Sequence, residues 1–340
     1  MLILVIAAVL AAPPVSNACL DDDHNNRCSP ARQAEMRALY RVPPIEAYSG
    51  ATVRRVFFVD GYGNDTVAIE FVRAAGKDPL ARVNFPKVKS AEPIAPIEGA
   101  LSAEQWQQII ESSEHFDRKF ASKYAPRAGA SRKGKNNEDE GVALCLHSWV
   151  YWAEAIDRQG PPRSTVDDAC NDQPVEQFAW FAARHARQSI PYCAALDKQF
   201  SRNDATLLRT CSLLTGDRLA AAEVWNRAKG FRSLDTPGGL DELPAYDFAL
   251  DYQGKKLTHD QAKAFWRSLM AAQNSPQFYY DSVHGLNADR VVVTGELNQL
   301  VGDDLYQTAD IEIQWQRDGG TLNVESIKVG QYRPVILPNG

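Results

Sequence analysis

Apolar positions along this chain change their period several times, and each change marks an element. Val53–Val59, Thr66–Arg73 and Leu80–Phe85 are rich in Val, Ile and Phe, the composition of strands. Asp60-Gly61-Tyr62-Gly63-Asn64-Asp65 and Gly76-Lys77-Asp78-Pro79 separate these runs with turn residues, so together they predict an antiparallel meander. Ser102-Ala103-Glu104-Gln105 then reads as a capping box. The helix it opens carries Trp106, Ile109 and Ile110 on one face, which suits it to cover the meander. After a polar loop over 125–140, Gly141–Ile156 predicts a buried central strand. From Asp167 the period becomes that of a helix. Phe178, Phe181, Ala182 and His185 form one stripe, Leu207, Leu208, Cys211 and Leu214 a second, Leu219, Val224 and Trp225 a third. This spacing predicts two or three helices within 173–232. Upstream, residues 19–48 hold no sustained period and read as a flexible lead-in with one short helix at Pro30–Tyr40.

The C-terminal stretch is the most legible. Tyr246–Tyr252 is a predicted strand, and Thr258 caps a helix through Phe265, Trp266, Leu269 and Met270. Strand runs follow at Phe278–Val283, Arg290–Leu297 and Thr308–Arg317, and Asp318-Gly319-Gly320 turns the chain back into Leu322–Gly330. Residues 310–316 alternate strictly, so Ile311, Ile313 and Trp315 share a face that should be buried against Trp266 and Leu269. This order of elements over roughly residues 204–333, with Asp318-Gly319-Gly320 before the last strand, resembles the NTF2-like (SnoaL-like) superfamily. The resemblance implies a curved antiparallel sheet wrapped on a helix to make a conical pocket. Proteins of that superfamily include isomerases, dehydratases, small-ligand binders and assembly domains. The expected fold class is therefore α+β. At 340 residues the chain can hold two domains of the usual ~100–200 residues. An α+β domain is expected over 49–160, and a helical segment with the NTF2-like domain over 161–340.

Composition and the N-terminus bear on where the protein works. Met1–Ala12 has no polar residue, Pro13-Pro14 follow, and Ser16-Asn17-Ala18 places small residues where a signal peptidase reads them. Residues 1–18 therefore predict a cleaved leader and an exported protein, periplasmic or extracellular. The leader departs from the usual pattern in having no Lys or Arg ahead of its apolar run. That run is shorter than the about 20 apolar residues a bilayer span requires, so the mature chain is expected to have no transmembrane span. Cys19, directly after the cut, raises a lipid-anchored alternative. Ser16 and Asn17 fit a lipidation box poorly, and lipidation would leave an odd number of cysteines. A net charge of −6 argues against a nucleic-acid partner, since phosphate contacts need clustered Lys and Arg.

Export decides how the six cysteines read. Proximity favours Cys19 with Cys28, leaving Cys145, Cys170, Cys193 and Cys211 to pair among themselves. Cys193 and Cys211 end one predicted helix and enter the next, where a bridge would staple a helical hairpin. Cys145 with Cys170 would tie the central strand to the helices. A bridge contributes about 2–4 kcal/mol. No Cys-x-x-Cys occurs, so neither a redox pair nor a zinc knuckle is indicated. Cys145 and His147 share a strand face, a thiol and an imidazole in reach of each other, but a bridged cysteine is no nucleophile.

Candidate chemistry concentrates in the last hairpin. A turn over Asp318-Gly319 would pair Trp315 with Leu322 and Ile313 with Val324, setting Glu312 opposite Glu325. Facing carboxylates are unfavourable without a cation or a raised pKa. In a conical pocket, Glu312, Glu325 and the turn histidine His284 would be candidate acid–base residues. On an open face they are simply solvated. No metal site or cofactor is expected: Asp21-Asp22-Asp23-His24 is a tail with one His, and Gly61-Tyr62-Gly63 lacks the third glycine of a dinucleotide loop. There is no Gly-x-Ser-x-Gly, Walker loop or His-Glu-x-x-His. The expectation is an exported, non-enzymatic protein that binds a small apolar ligand or an envelope protein. The alternative is an NTF2-like pocket enzyme of isomerase or hydratase type that uses carboxylates.

Overall fold

Strand β1 (Ala51–Val59) occupies the middle of a six-stranded antiparallel sheet. It pairs with β2 (Asp65–Ala74) on one side and β5 (Val150–Ile156) on the other. Beyond them lie β3 (Leu80–Asn84), β4 (Ile97–Ala100) and β6 (Arg163–Asp168), in the order β4-β3-β2-β1-β5-β6. A computed structural model describes residues 29–59, 65–86, 94–124, 150–168, 174–197, 203–227, 247–272, 276–302 and 305–335. The leader, Cys19, Cys28, Cys145, His147 and Cys170 lie outside the described residues, and with them the other expected bridges.

Both faces of this sheet are covered, which is why its strands read as nearly continuous apolar runs. Val56, Phe58, Val67 and Ile69 pack towards α2 (Ala103–Tyr124) and α3 (Pro174–Ser189). Phe57, Ala68 and Trp152 point the other way, beneath Met36 and Tyr40 of α1 (Pro30–Tyr40). Helix α2 starts at the expected capping box: Ser102 Oγ accepts from the Gln105 amide at 3.1 Å, and the Ser102 amide donates to Gln105 Oε1 at 2.9 Å.

The helical segment runs α3, α4 (Pro191–Ala194), α5 (Asp204–Cys211) and α6 (Arg218–Arg227). The expected staple is present: Cys193 of α4 is bridged to Cys211 of α5, with Cα atoms 5.5 Å apart. Buried Arg187 braces the same corner. Its Nε donates to Asp204 Oδ1 at 2.7 Å and its Nη1 to the carbonyls of Cys193, Ala194 and Leu196, which satisfies the end of α4. Leu214 does not continue the helical stripe. It begins β7 (Leu214–Gly216), because the chain must turn sharply at Gly216 (φ +64°), where a Cβ would collide with the Gly285 carbonyl.

The second sheet contains β7, β8 (Ala249–Tyr252), β9 (Lys255–Leu257), β10 (Gln277–Asn287), β11 (Arg290–Gly302), β12 (Leu305–Asp318) and β13 (Thr321–Val329). Their order is β7-β10-β11-β12-β13-β8-β9, with β14 (Arg333–Pro334) beside β12. The sheet is mixed rather than purely antiparallel. β7 pairs with β10, and β8 with β13, in parallel; neither pair is joined directly by a hairpin, since a helix and other elements lie between its strands in the chain. Helix α7 (His259–Met270) opens on the capping box at Thr258. Trp266, Ile311, Ile313 and Trp315 are all buried, at 2% exposure or less. Leu269 is only half-buried, on a helix that lies against β8 near the sheet's edge. The protein is α+β, with one contiguous apolar core running from the first sheet through α3 and α5 to the second.

Candidate functional site

The final hairpin does not bring Glu312 and Glu325 together. Its turn is Gly319-Gly320, both at positive φ (56° and 84°), and it closes on the pair Asp318–Thr321. Trp315 therefore meets Val324, not Leu322. A bulge between Gln314 and Trp315 then leaves Glu325 without a cross-strand partner, so Ile313 meets Ile327 and Glu312 meets Lys328. The expected register fails for two local reasons: the turn sits one residue later, and a bulge leaves no mark in an alternating pattern.

The three candidate residues also lie on the wrong side for a pocket. Val283, Val293, Ile311 and Ile313 face the helices, so by alternation Ser282, His284, Thr294, Glu312 and Gln314 face away from them. Glu312 is half-buried and accepts from Gln314 Nε2 at 2.7 Å. Glu325 is exposed. His284 Nδ1 lies 2.9 Å from Thr215 Oγ1 and is separated from Glu312 by the β11 strand. On the helix side, Trp225, Trp266 and Trp315 are buried, each at 1% exposure or less. The chemistry of the outer face is that of hydroxyls and amides, with Ser282 Oγ and Thr294 Oγ1 2.9 Å apart.

The first sheet holds a constellation that periodicity does not reveal. Glu98, Arg82, Glu70, Arg55 and Glu154 stand directly opposite one another on β4, β3, β2, β1 and β5, a row of alternating charge across the sheet. Its centre is dry: Arg55, Glu70 and Glu154 are 0%, 1% and 3% exposed. Arg55 Nε and Nη2 donate to Glu70 Oε1 at 2.9 and 2.7 Å, and Nη1 to Glu154 Oε2 at 2.6 Å. Asn84 Nδ2 donates to Glu70 Oε2 at 2.9 Å, and α1 adds Arg37, whose Nε reaches Glu154 Oε1 at 2.9 Å. The Tyr48 hydroxyl donates to Glu70 Oε1 at 2.8 Å, and burial beside that carboxylate pushes the phenol up to about 12. Both central carboxylates are spent on internal partners, so the row holds α1 and the sheet in register. The signal was present in sequence as one or two charged residues inside each of several apolar strands.

On the opposite face of that sheet a small cleft opens between α2, α3 and the β5–β6 hairpin. Phe116 and Phe178, stacked at 5.9 Å with planes 6° apart, form one wall, and Ala153 and Ala155 of β5 lie in the floor. Its polar side is Ser113, Asp117, Thr165 and Arg163. Arg163 Nη2 is shared between Asp117 Oδ2 at 3.2 Å and Asp157 Oδ2 at 3.3 Å. Arg54, 1% exposed, donates through Nη2 to Asp157 Oδ1 at 2.8 Å. Burial pushes the Asp117 carboxyl above its ordinary range, against the pull of Arg163 and Arg54. Among the described residues, no group of three His, Cys, Asp or Glu side chains is placed to hold a metal ion, and no helix is long and apolar enough to cross a membrane.

Fold and sites thus define a disulfide-bridged α+β protein with two sheets and a small polar cleft on the first. Solved structures similar to part of it include the following two. A DUF4783 family protein from Bacteroides uniformis is 16% identical, with a TM-score of 0.23, over 26% of this chain and 82% of its own. A designed NTF2-like protein is 20% identical, with a TM-score of 0.23, over 26% of this chain and 81% of its own. No family model and no curated protein matches the chain.

Proposed function

We propose that this chain is an exported, non-enzymatic protein that acts by contact, using the outer face of its C-terminal, NTF2-like sheet to bind a protein of the cell envelope. The observation that carries this reading is the division of the second sheet. Its helix side buries Trp225, Trp266 and Trp315, while His284, Thr294, Glu312 and Gln314 face away from the helices. An enzyme of isomerase or hydratase type would need its acid and base to converge in a closed, mostly apolar pocket. A face rich in hydroxyls and amides, with Glu312 beside Lys328, instead suits a folded protein partner that returns hydrogen bonds. The Cys193–Cys211 bridge is compatible with an oxidising compartment.

The test is site-specific photocrosslinking in the source cells, with the reactive side chain at Gln314 or Ser326 and, as control, at exposed Arg32 on α1. The reading expects one shared, discrete adduct from the two sheet positions and none from position 32. Equal labelling from all three positions, or no adduct from the sheet positions at native abundance, refutes it.

A further inference from the structure

We propose that the partner of the second sheet's outer face presents a basic side chain flanked by apolar ones, and that it docks where β10, the β11–β12 hairpin and β14 meet. This inference rests on the sheet-face reading and names the chemistry of the partner segment.

Alternation assigns the residues. Phe278, Leu297 and Ala309 are buried on the helix side, so Tyr279, Glu296, Asn298, Thr308 and Asp310 stand on the outer face. Leu300 and Tyr306, opposite each other, continue the same rows. β10 begins at Gln277, opposite Asn298, so Leu300 and Tyr306 lie on the part of the hairpin that runs beyond it.

Charge selects a cation. Arg333 is shared between Glu296 and Asp310, at 2.9 and 2.8 Å, and the three side chains are between 38% and 74% exposed. Ion pairs this open to water are weak and exchange readily. Asp281, at the bulge of β10, brings a third carboxylate to the single guanidinium. Burial pushes its carboxyl above the ordinary range, and the like charges of Glu296 and Asp310 push it further. The surplus is negative, so an anionic lipid surface is repelled. The three acids stand on three strands, with Arg333 already between two of them. That spread suits an extended basic side chain, not one metal ion.

The apolar part is independent of the charge. Among the described residues six large apolar side chains are exposed, and four of them, Tyr279, Leu300, Val301 and Tyr306, fall at this end of the sheet. Apolar exposure gathered in one place marks an interaction surface, and tyrosine rings offer their faces to a cation. Between the acids and the apolar tip lie Asn298 and Thr308, directly opposite each other. Asn298 Oδ1 and Thr308 Oγ1 are buried without a hydrogen-bond partner among the described residues, Thr308 being 6% exposed. An acceptor left dry costs free energy that an incoming N–H recovers.

The experiment is a fluorescence-anisotropy titration of the full chain with a dye-labelled peptide of alternating leucine and lysine. One comparator replaces its lysines by glutamate, the other its leucines by serine. Saturable binding of the leucine–lysine peptide is expected, about tenfold or more tighter than either comparator. The double variant Glu296→Gln, Asp310→Asn should weaken it about tenfold, while Glu325→Gln, an exposed acid elsewhere on the same sheet, should leave it unchanged. Arg333→Gln removes the competing cation and should tighten binding, a change that loss of fold cannot mimic. Absence of saturation, equal binding of either comparator, a loss in Glu325→Gln as large as in the double variant, or no tightening in Arg333→Gln each overturns the inference. None of these outcomes touches the sheet-face reading, which is decided by the adducts from Gln314 and Ser326.

Discussion

Replacing Arg37 by Met removes the cation that α1 brings to the buried charge row. Without it, the centre of the first sheet holds two carboxylates, Glu70 and Glu154, against the single guanidinium of Arg55. Glu70 keeps Tyr48 and Asn84, but Glu154 Oε1 loses both of its donors from Arg37. The side chains of Arg37 and Glu154 are 16% and 2% exposed, so the pair is largely shielded from water. Removing one member of a buried pair costs about 3–5 kcal/mol. The partial opening at Arg37, and the packing that the Met stem retains, put the expected loss at the lower end, about 3 kcal/mol. For a cooperative unit of 150–250 residues that corresponds to a fall in Tm of about 6–12 °C. Calorimetry measures it, and hydrogen exchange should show α1 amides losing protection first. Glu154→Gln in the same background removes the stranded charge, so the double variant should lose less than the sum of the two singles. A loss below about 1 kcal/mol for Arg37→Met, or strict additivity in the cycle, would show that Glu154 is not held as a buried charge.

Trp315→Ala should destabilise by about 3–5 kcal/mol in urea unfolding, whereas Glu325→Gln should stay within about 0.5 kcal/mol, since Glu325 is exposed at a bulge. A large effect of Glu325→Gln would revive the facing-carboxylate arrangement. Asp117 carries a pH signature. Its folded pKa is raised above the ordinary 3.8, so it favours folding below that value, and this contribution is lost as pH rises through the folded pKa. Asp117→Asn should therefore gain stability relative to the parent as pH rises from 3 towards 7, and a gap between the two that does not change with pH refutes the assignment. Mass spectrometry of the exported form should find Cys19 as its first residue and unmodified by lipid, because Ser16-Asn17-Ala18 follows the apolar leader. A diacylated Cys19 would establish the anchored form instead.

Elements with a strong local rule were legible in the chain. The capping boxes at Ser102 and Thr258, the meander of Val53–Phe85 and the alternation of Asp310–Gln316 each rest on contacts a few residues apart, and each forms where expected. The Cys193–Cys211 staple was legible too, because adjacent predicted helices bring those positions together. What required tertiary structure is everything that depends on which strand lies beside which. Arg55, Glu70, Arg82, Glu98 and Glu154 are scattered over a hundred residues, and only the strand order β4-β3-β2-β1-β5 makes them one row. The same holds for Arg54, Asp117, Asp157 and Arg163, which three separate segments bring into one chain of ion pairs. Glu312 and Glu325 show the converse: a one-residue change of turn and one bulge separate a pair that alternation alone had placed face to face. Local periodicity reports which side of an element is buried. Register and topology decide which charges meet, because a Coulomb or hydrogen-bond partner must lie within a few ångströms, and sequence separation carries no information at that range.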